Sequence, residues 1–517
     1  MSYEHIELLR LDGLTLRNLR SDLASILAVS GVFAMCKFAL RAVCRSCAMD
    51  HAELWRMATL AFALGALQAI AQTSSGTVDP YTPDSPAASK ASLDLRVPGA
   101  GAGRWLFPVT ALNKSLPAWL QFGAQFRDRF EGQLGLHYRP SDDLYDLTQL
   151  RLGIYIKPVS WFKIVAVTQD SRIFFNQNVR NVPPYQNVWD VREAYAEIGD
   201  QDSSWISATV GREILSFGDE RVIGPSDWSN MGRTFDTARI DLHGNGWRVS
   251  TFAASVIIAR DGVIDHHIQG NNLYGMYGRL DRLIPHATFE PYLLWRVAPA
   301  SLSLPENGYG LGALSEITGG ARLAGTAGPV DFDLEMNKQT GSLGGKTIDA
   351  WAGHWNAGYV LSQHGVQPRL FVEYNYASGN KNPAGSTWAT HDEIYPSAHD
   401  KMDFADQFGW RNIRDLRAGL QERLGRRWML NEVVDNVWLA SQYDALYNNS
   451  GAVSIAAHPN VTSTHVGTEL ELIFECKQNR HITYGFGWAH LFAGGFLNQT
   501  TPGKSFNYPF AYSTYVF

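Results

Sequence analysis

The stretch Trp119–Glu131, WLQFGAQFRDRFE, decides the fold, because apolar and polar side chains alternate along it. Successive side chains of a β-strand point to opposite faces, so this period of two predicts an extended strand. One face is apolar and consists of Leu120, Phe122, Ala124 and Phe126. The other face is polar and consists of Gln121, Gly123, Gln125, Arg127, Arg129 and Glu131.

The same alternation recurs along the chain, which predicts many strands with two different faces. It is found at 148–157, 239–242, 330–339, 369–376 and 467–472. In a soluble sandwich the polar face would meet water, whereas in a membrane barrel it would line the lumen and the apolar face would meet lipid. Alternation by itself leaves both architectures open.

The connectors and the leader favour the barrel. Tight connectors are predicted at 199–204 and 324–329, and long ones at 171–189, 216–232, 259–274 and 377–412. Short periplasmic turns alternating with long extracellular loops are typical of outer-membrane proteins. We therefore predict an all-β transmembrane antiparallel β-barrel of about 18 strands, within a range of roughly 16–18.

An export signal is predicted near the start of the chain. Residues 57–72, MATLAFALGALQAIAQ, form a short apolar run that ends in the cleavage pattern Ala69-Ile70-Ala71. This predicts a leader at 1–71 with cleavage near Ala71; the alternative is a buried helix of a soluble domain. A second apolar run upstream indicates a misassigned start, with Met35 or Met49 as the true one.

The remaining boundaries follow from composition. Residues 72–117 are rich in Ser, Pro and Gly and predict a periplasmic tail, and 118–517 form the predicted barrel. Three of the four cysteines lie in the leader, so only Cys476 remains and no intramolecular disulfide is expected.

Composition and motifs argue against other function classes. The net charge is −6 and there is no basic run, which disfavours nucleic-acid binding. The motifs GxSxG, HExxH and GxxxxGK[ST] are absent, and we predict no enzyme activity. The pair His266-His267 and the residues His391 and His399 are predicted to be solvated loop histidines without a third metal ligand, and no cofactor is expected.

The segment 211–242, GREILSFGDERVIGPSDWSNMGRTFDTARIDL, resembles the alginate-export family of outer-membrane proteins. The matching residues are Gly211, Arg212, Leu215, Gly218, Arg221, Trp228, Asn230, Arg233, Phe235 and Asp236. YNYASGN at 374–380 and the stretch 395–413 also match. The resemblance implies an 18-stranded barrel in the outer membrane of a Gram-negative-type bacterium, with a narrow electropositive lumen that conducts a polyuronate.

Guanidinium groups on the polar faces are the predicted solute contacts, because they bind carboxylates in a bidentate fork. The predicted lumen residues are Arg127, Arg129, Arg151, Lys157, Arg172, Arg239 and Arg369, with Arg212, Arg221 and Arg233 added from the motif. The acids expected to hold them are Glu131, Asp170, Asp241 and Glu373. The alternative for each arginine is a pairing that only fills and rigidifies the interior. The row Asp331, Asp333 and Glu335 is predicted to neutralise neighbouring arginines, or else to bind a cation such as calcium.

The predicted function is an outer-membrane channel that exports an anionic polysaccharide or a related acidic solute. The alternatives are a general or uptake porin for small anions, and a soluble exported carbohydrate-binding β-protein or lyase. The expected partners are the solute, outer-membrane lipid, periplasmic polysaccharide-export proteins, and the barrel-assembly machinery.

The segment YSTYVF at 512–517 is the stretch that the assembly machinery is expected to read. The inner face of the strand that ends with this segment is unexpectedly apolar, and it consists of Tyr508, Phe510, Tyr512 and Val516. Either a bulge near Pro509 swaps the register, or the lumen is packed with aromatic side chains close to the seam.

Overall fold

The computed structural model of the protein describes residues 108–201, 204–300, 312–362, 365–458 and 460–517. The predicted leader, its signal peptide and residues 72–107 of the predicted tail lie outside the described residues. The end of the tail contains helix α1, Pro108–Ser115. None of the described helices is long and apolar enough to cross a membrane.

Within these ranges, 18 strands close into one antiparallel barrel, as predicted. The strands are β1 Leu120–Leu134, β2 Asp142–Val159, β3 Phe162–Phe174, β4 Asn187–Ile198, β5 Ile206–Glu213, β6 Phe235–Gly244, β7 Trp247–Ile258, β8 His266–Ile284, β9 Ala287–Ala298, β10 Leu314–Ala327, β11 Val330–Leu343, β12 Lys346–Val360, β13 Gln367–Ala377, β14 Thr387–Trp388, β15 Ile413–Leu424, β16 Trp428–Leu439, β17 Leu446–Tyr447, β18 Val453–Ile455, β19 His465–Lys477, β20 Ile482–Ala493 and β21 Phe506–Val516. Of these 21 strands, β14, β17 and β18 are short strands in loops, and the other 18 form the barrel. Helix α2 spans Gly495–Thr500.

The barrel closes where β1 pairs with β21, with Gln125 opposite Val516. Closure leaves no open sheet edge, which is what allows strands to cross a membrane. Near the end of the seam, the Phe517 N–H donates to the Ala124 carbonyl at 2.9 Å. Beyond it, Asn113 of α1 accepts from the Phe122 N–H at 2.8 Å and donates to the Phe122 carbonyl at 2.7 Å. The Asn113 amide thus takes the place of a neighbouring strand.

We expect Asn113→Ala to destabilise the barrel by about 1–2 kcal/mol, because two backbone groups of Phe122 lose their partner. The measurement is the temperature at which the folded band disappears on a semi-native gel. Lys114→Ala, an exposed change in the same helix, is the control and should leave that temperature unchanged. Equal midpoints for both variants would contradict a role for Asn113 in closing the seam.

The two ends of the barrel differ in their connections. At one end the strands join through short turns such as 160–161, 245–246 and 328–329. At the other end most connections are long, and they include 175–186 and the three loops defined below. This confirms the predicted alternation with three corrections. The connector predicted at 259–274 ends at Asp265 because β8 already begins at His266. The tight connector predicted at 324–329 is only the turn 328–329 because β10 runs to Ala327, and 344–345 is a tight turn at the loop end.

The outer wall carries the apolar faces. Ile154, Ile240 and Val372 are exposed on strands whose opposite faces are buried. Trp119, Trp161, Trp205 and Trp247 are exposed beside the turn end. An apolar band flanked by aromatic residues is typical of a barrel surrounded by lipid.

The hydrophobic core lies inside the barrel, where three loops pack against the wall. They are loop A at 214–234, loop B at 378–412 and loop C at 440–464. Loops A and B are joined by backbone hydrogen bonds, from Gly224 N–H to the Tyr395 carbonyl at 2.8 Å and from Tyr395 N–H to the Val222 carbonyl at 3.0 Å. The loops therefore form a packed unit that narrows the lumen.

The aromatic face of β21 contributes to this core. The ladder between β20 and β21 runs from Ile482–Tyr515 to Leu491–Phe506 without a register shift. Tyr508 and Phe510 are buried in the core, and partly buried Tyr512 packs against it. The second of the two predicted explanations is correct: aromatic side chains fill the lumen close to the seam.

Candidate functional site

Four buried arginines form one cluster on the inner wall. The arginine cluster consists of Arg127 and Arg129 on β1, Arg151 on β2 and Arg192 on β4. Arg192 was missed by the sequence analysis. The pairing of β4 with β3 skips it, passing from Glu193 to Val191. A bulge inserts one extra residue and breaks the period of two, so alternation alone does not reveal this side chain.

Asp227 of loop A lies in the middle of the arginine cluster. Its Oδ1 accepts hydrogen bonds from Arg151 Nη2 at 2.9 Å and Arg192 Nη2 at 2.8 Å. Its main-chain carbonyl accepts from Arg127 Nη1 at 2.6 Å. Burial acts to raise the pKa of Asp227, but Arg151 and Arg192 outweigh it and hold the pKa below its ordinary value. The carboxylate is therefore charged and firmly held.

Trp228, the next residue, packs against the same cluster. The Arg129 guanidinium lies 4.2 Å from the centre of the indole ring, within the range of a cation–π contact. The ring also stacks on His399 of loop B at 4.2 Å, and its Nε1–H donates to the Tyr508 hydroxyl at 3.1 Å. Trp228 thus joins both loops to the seam of the barrel.

Asn230 docks loop A on the other side. Its side-chain amide donates to the carbonyls of Thr148 at 3.2 Å and Tyr185 at 2.8 Å, and its main-chain carbonyl accepts from Ser171 Oγ at 2.6 Å and Gln149 Nε2 at 2.7 Å. Because these partners come from β2, β3 and the loop after β3, one residue holds loop A to a wide stretch of wall.

A different arc of the wall is acidic. Glu373, Asp415, Asp435, Glu469 and Glu471 are buried on β13, β15, β16 and β19. Arg417 lies among them, 2.7 Å from Asp435 and 3.2 Å from Glu471. Glu471 also accepts the Phe404 N–H of loop B at 2.8 Å. The lumen therefore carries both signs of charge, arranged on different arcs.

Most predicted lumen residues face the interior. Those on the wall are Arg127, Arg129, Glu131, Arg151, Arg239, Asp241, Arg369 and Glu373, and all are buried. Arg239 binds Glu213 at 2.6 Å, and Arg369 binds Asp331 at 2.5 Å.

Two further predicted arginines belong to loop A. Arg221 binds Glu373 at 2.9 Å, and Arg233 donates to the Pro396 carbonyl at 2.7 Å. These contacts join loop A to β13 and to loop B.

Four predicted lumen residues are placed elsewhere. Asp170 and Arg172 pair with each other at 2.8 Å on the outer face of β3, because Gln169 and Ser171 occupy its inner face. Arg212 pairs with Asp236 at 3.0 Å and does not point into the lumen, because its neighbour Glu213 is the residue of β5 that faces inward there. Lys157 is exposed at the turn end, where it binds Asp200 at 3.0 Å.

The family-motif residues shape loop A and its ends. Gly211 and Gly218 have positive φ, and a Cβ at Gly218 would lie 2.4 Å from the Tyr277 hydroxyl, so a larger residue would not fit. Phe235 is fully buried at the start of β6. Asp236 joins Arg212 to His267 Nδ1, which lies 2.8 Å away.

The acidic row on β11 is paired. Asp331 binds Arg369, Asp333 binds Arg322, and Glu335 accepts from the Tyr292 hydroxyl at 2.7 Å. These contacts agree with neutralisation, and calcium binding by the row stays a prediction.

Among the described residues, one group has metal-ligand spacing. Asp219, Asp333 and His354 place one ligand atom each within 4.8 Å of one another. Arg221, Lys401 and Arg322 already pair with its two carboxylates, so the charge is compensated by side chains.

The loop histidines differ from the prediction. His391 and His399 are buried in loop B, not solvated, and His266 and His267 belong to β8. His391 Nε2 lies 2.9 Å from Asn337 Oδ1, and burial lowers the pKa of His391 to about 4. Nearby, Glu393 accepts the Trp410 N–H at 2.8 Å, and burial raises the pKa of Glu393 to about 8.

We expect the packing of loop B to weaken between pH 6.5 and 8.5. Since the pKa of Glu393 is about 8 when folded, above its ordinary value, its stabilising contribution is complete at low pH and is lost as the pH rises through 8. His391 is neutral across this window because its pKa is about 4. Single-channel recordings should show larger current fluctuations at pH 8.5 than at pH 6.5.

Glu393→Gln should remove this pH dependence, because the amide cannot ionise. Asp261→Asn changes an exposed loop acid and should keep the wild-type response. A response that persists in Glu393→Gln would assign the titration to another group.

A family model described as alginate export matches residues 118–511. The chain belongs to the alginate-export family. No match was found among curated proteins. Since the match spans nearly the whole barrel, including loop A and the arginine cluster, the resemblance seen at 211–242 extends over the described architecture.

Solved structures with the same fold are porins of Pseudomonas aeruginosa. OccK5 (OpdH) has a TM-score of 0.53 at 9% identity, covering 77% of this chain and 98% of that one. OccD3 (OpdP) has a TM-score of 0.50 at 12% identity, covering 77% and 91%. OpdK, solved with vanillate, has a TM-score of 0.50 at 9% identity, covering 77% and 98%. This member of the alginate-export family is an outer-membrane channel with a porin-like barrel, and both its family and its structural neighbours are transport proteins.

Proposed function

We propose that this channel conducts an anionic polysaccharide, an alginate-like polyuronate, or a related acidic solute outward along its arginine-bearing arc. The observation that supports this is the arginine cluster, four buried guanidinium groups on β1, β2 and β4. Arg233 of loop A, which donates to the Gly224 and Pro396 carbonyls, adds to this positive charge, whereas Arg239 and Arg221 share their charges with acids. A polymer with one carboxylate per sugar meets several such groups in succession.

The pairing of these arginines suits transport. At an effective dielectric constant near 20, an ion pair at about 4 Å is worth about 4 kcal/mol before desolvation, so one unshielded arginine would hold a carboxylate too tightly for rapid release. Acids such as Glu131 and Glu213 already share the guanidinium charge. Each contact between an arginine and a carboxylate of the solute is therefore weakened, and the solute passes from one arginine to the next.

The test is ion selectivity and block in planar bilayers. We expect a reversal potential that indicates preference for anions, and block or permeation by uronate oligomers at concentrations where neutral oligosaccharides have no effect. Preference for cations together with indifference to uronate would refute the proposal.

A second candidate is uptake of small organic anions. It is favoured by the three loops packed inside the lumen, which leave less room than an open pore. Chain length separates the two functions: an uptake porin passes monomeric acids and excludes oligomers, whereas an exporter accepts both. We also propose that a leader cleaved near Ala71 exports the protein, that the assembly machinery reads the C-terminal strand, and that periplasmic export proteins deliver the polymer.

A further inference from the structure

A carboxylate already occupies the arginine cluster, and it belongs to loop A, not to the wall. Asp227 binds Arg151 at 2.9 Å and Arg192 at 2.8 Å, with 5% of its side chain exposed. A flat ring follows directly in the chain, that of Trp228. We infer that Asp227 and Trp228 fill a binding site for a carboxylate attached to a ring, the chemistry of a uronate residue, and that solute and loop A compete for it. This inference rests on the proposed function.

The half of the site that binds the carboxylate contains hydrogen-bond donors that have no acceptor. The Nε atoms of Arg127 and Arg192 are buried and have no hydrogen-bond partner among the described residues. The two terminal nitrogens of Arg127 donate to main-chain carbonyls of loop A, at 2.6 Å to Asp227 and 3.0 Å to Ser229. A buried donor without a partner is costly, so a uronate, whose hydroxyl and ring oxygens add acceptors to its carboxylate, gains binding energy there.

The ring half of the site is aromatic. Trp228 meets Phe510 edge-on at 5.1 Å and Tyr512 edge-on at 5.7 Å, besides its contacts with Arg129 and His399. When Trp228 withdraws, these rings and the Arg129 guanidinium offer an apolar surface with one charged edge. A sugar ring has an apolar face that can pack on this surface, whereas a small carboxylate such as acetate fills only the charged half of the site.

Competition has a measurable consequence. A solute binds only when Asp227 has left, so its apparent affinity is lowered by the fraction of time the site is free. Removing the charge of Asp227 frees the site without altering the arginines. Removing an arginine also loosens loop A, but it takes away a contact that the solute needs. The two changes should therefore shift solute affinity in opposite directions.

The experiment compares three variants of the full chain in planar bilayers, with a uronate trimer as the probe. Asp227→Asn should lower the half-blocking concentration by about fivefold or more, and Arg192→Gln should raise it by about fivefold or more. Asp261→Asn removes the same charge from the exposed loop between β7 and β8, at a point where the carboxylate accepts from Gln186 Nε2 at 2.9 Å instead. This matched control should stay within about twofold of wild type. The heat-dependent shift of the folded band on a gel checks that each barrel is formed.

The outcomes separate the two proposals. If Asp227 only holds the loop, Asp227→Asn and Arg192→Gln will shift the half-blocking concentration in the same direction, and competition is refuted while block of the wild type by uronate still supports transport. If Asp227→Asn strengthens acetate as much as uronate, the ring half is refuted. A wild-type channel that prefers cations and ignores uronate refutes the proposed function itself.

Discussion

Replacing residues 216–232 of loop A by a linker of about four residues should raise the single-channel conductance at least about threefold. Glu213 and Phe235, which flank the loop, are directly opposite each other in the ladder between β5 and β6, so a short linker bridges them without strain. The change removes Asp227 and Trp228 from the lumen together with the rest of loop A between residues 216 and 232. Conductance of the reconstituted channel measures the effect.

The matched control is a loop on the same end of the barrel that stays outside the lumen. Residues 260–264, between β7 and β8, are almost entirely exposed. The same linker there should leave the conductance at its wild-type value. A wild-type conductance in the loop A variant would mean that the current bypasses loop A, and it would remove loop A from the solute pathway.

Arg417→Met should destabilise the barrel by about 3–5 kcal/mol. The side chain is 2.7 Å from Asp435 and 3.2 Å from Glu471, and it donates to the Lys401 carbonyl of loop B at 2.9 Å. Asp435 is fully buried, so it loses its compensating charge in a place that water does not reach. Urea-induced unfolding of the refolded barrel measures the loss.

Two further variants test this explanation. Arg414→Met changes an arginine three positions away on the opposite face of β15, which donates to the Leu439 carbonyl at 3.2 Å, and should cost no more than about 1 kcal/mol. Adding Asp435→Asn to Arg417→Met should recover part of the loss because one uncompensated charge is gone. If Arg417→Met unfolds at the wild-type urea concentration, the acidic arc does not depend on this arginine.

The alternation in the sequence predicted the wall of the barrel well. The apolar and polar sets of β1 and β13 lie on the predicted faces, with Phe126 and Val372 outward and Arg127 and Glu373 inward. This succeeds because a strand turns each side chain by half a revolution from the last, a local property that needs no partner. It fails where that local rule is broken or was not applied, as at Arg192 in the bulge and Arg172 on the outer face.

The strand period, the division into an apolar and a polar face and the family were determined by the sequence itself. Only the tertiary structure decided that loop A turns into the lumen and that Asp227 sits among the arginines. The contact between Arg127 and Asp227 joins residues 100 positions apart, and no spacing in the chain encodes a contact of that range. The charge of each arginine can be read from the sequence, but its partner, whether loop carbonyl, acid or solute, depends on where the loops fold.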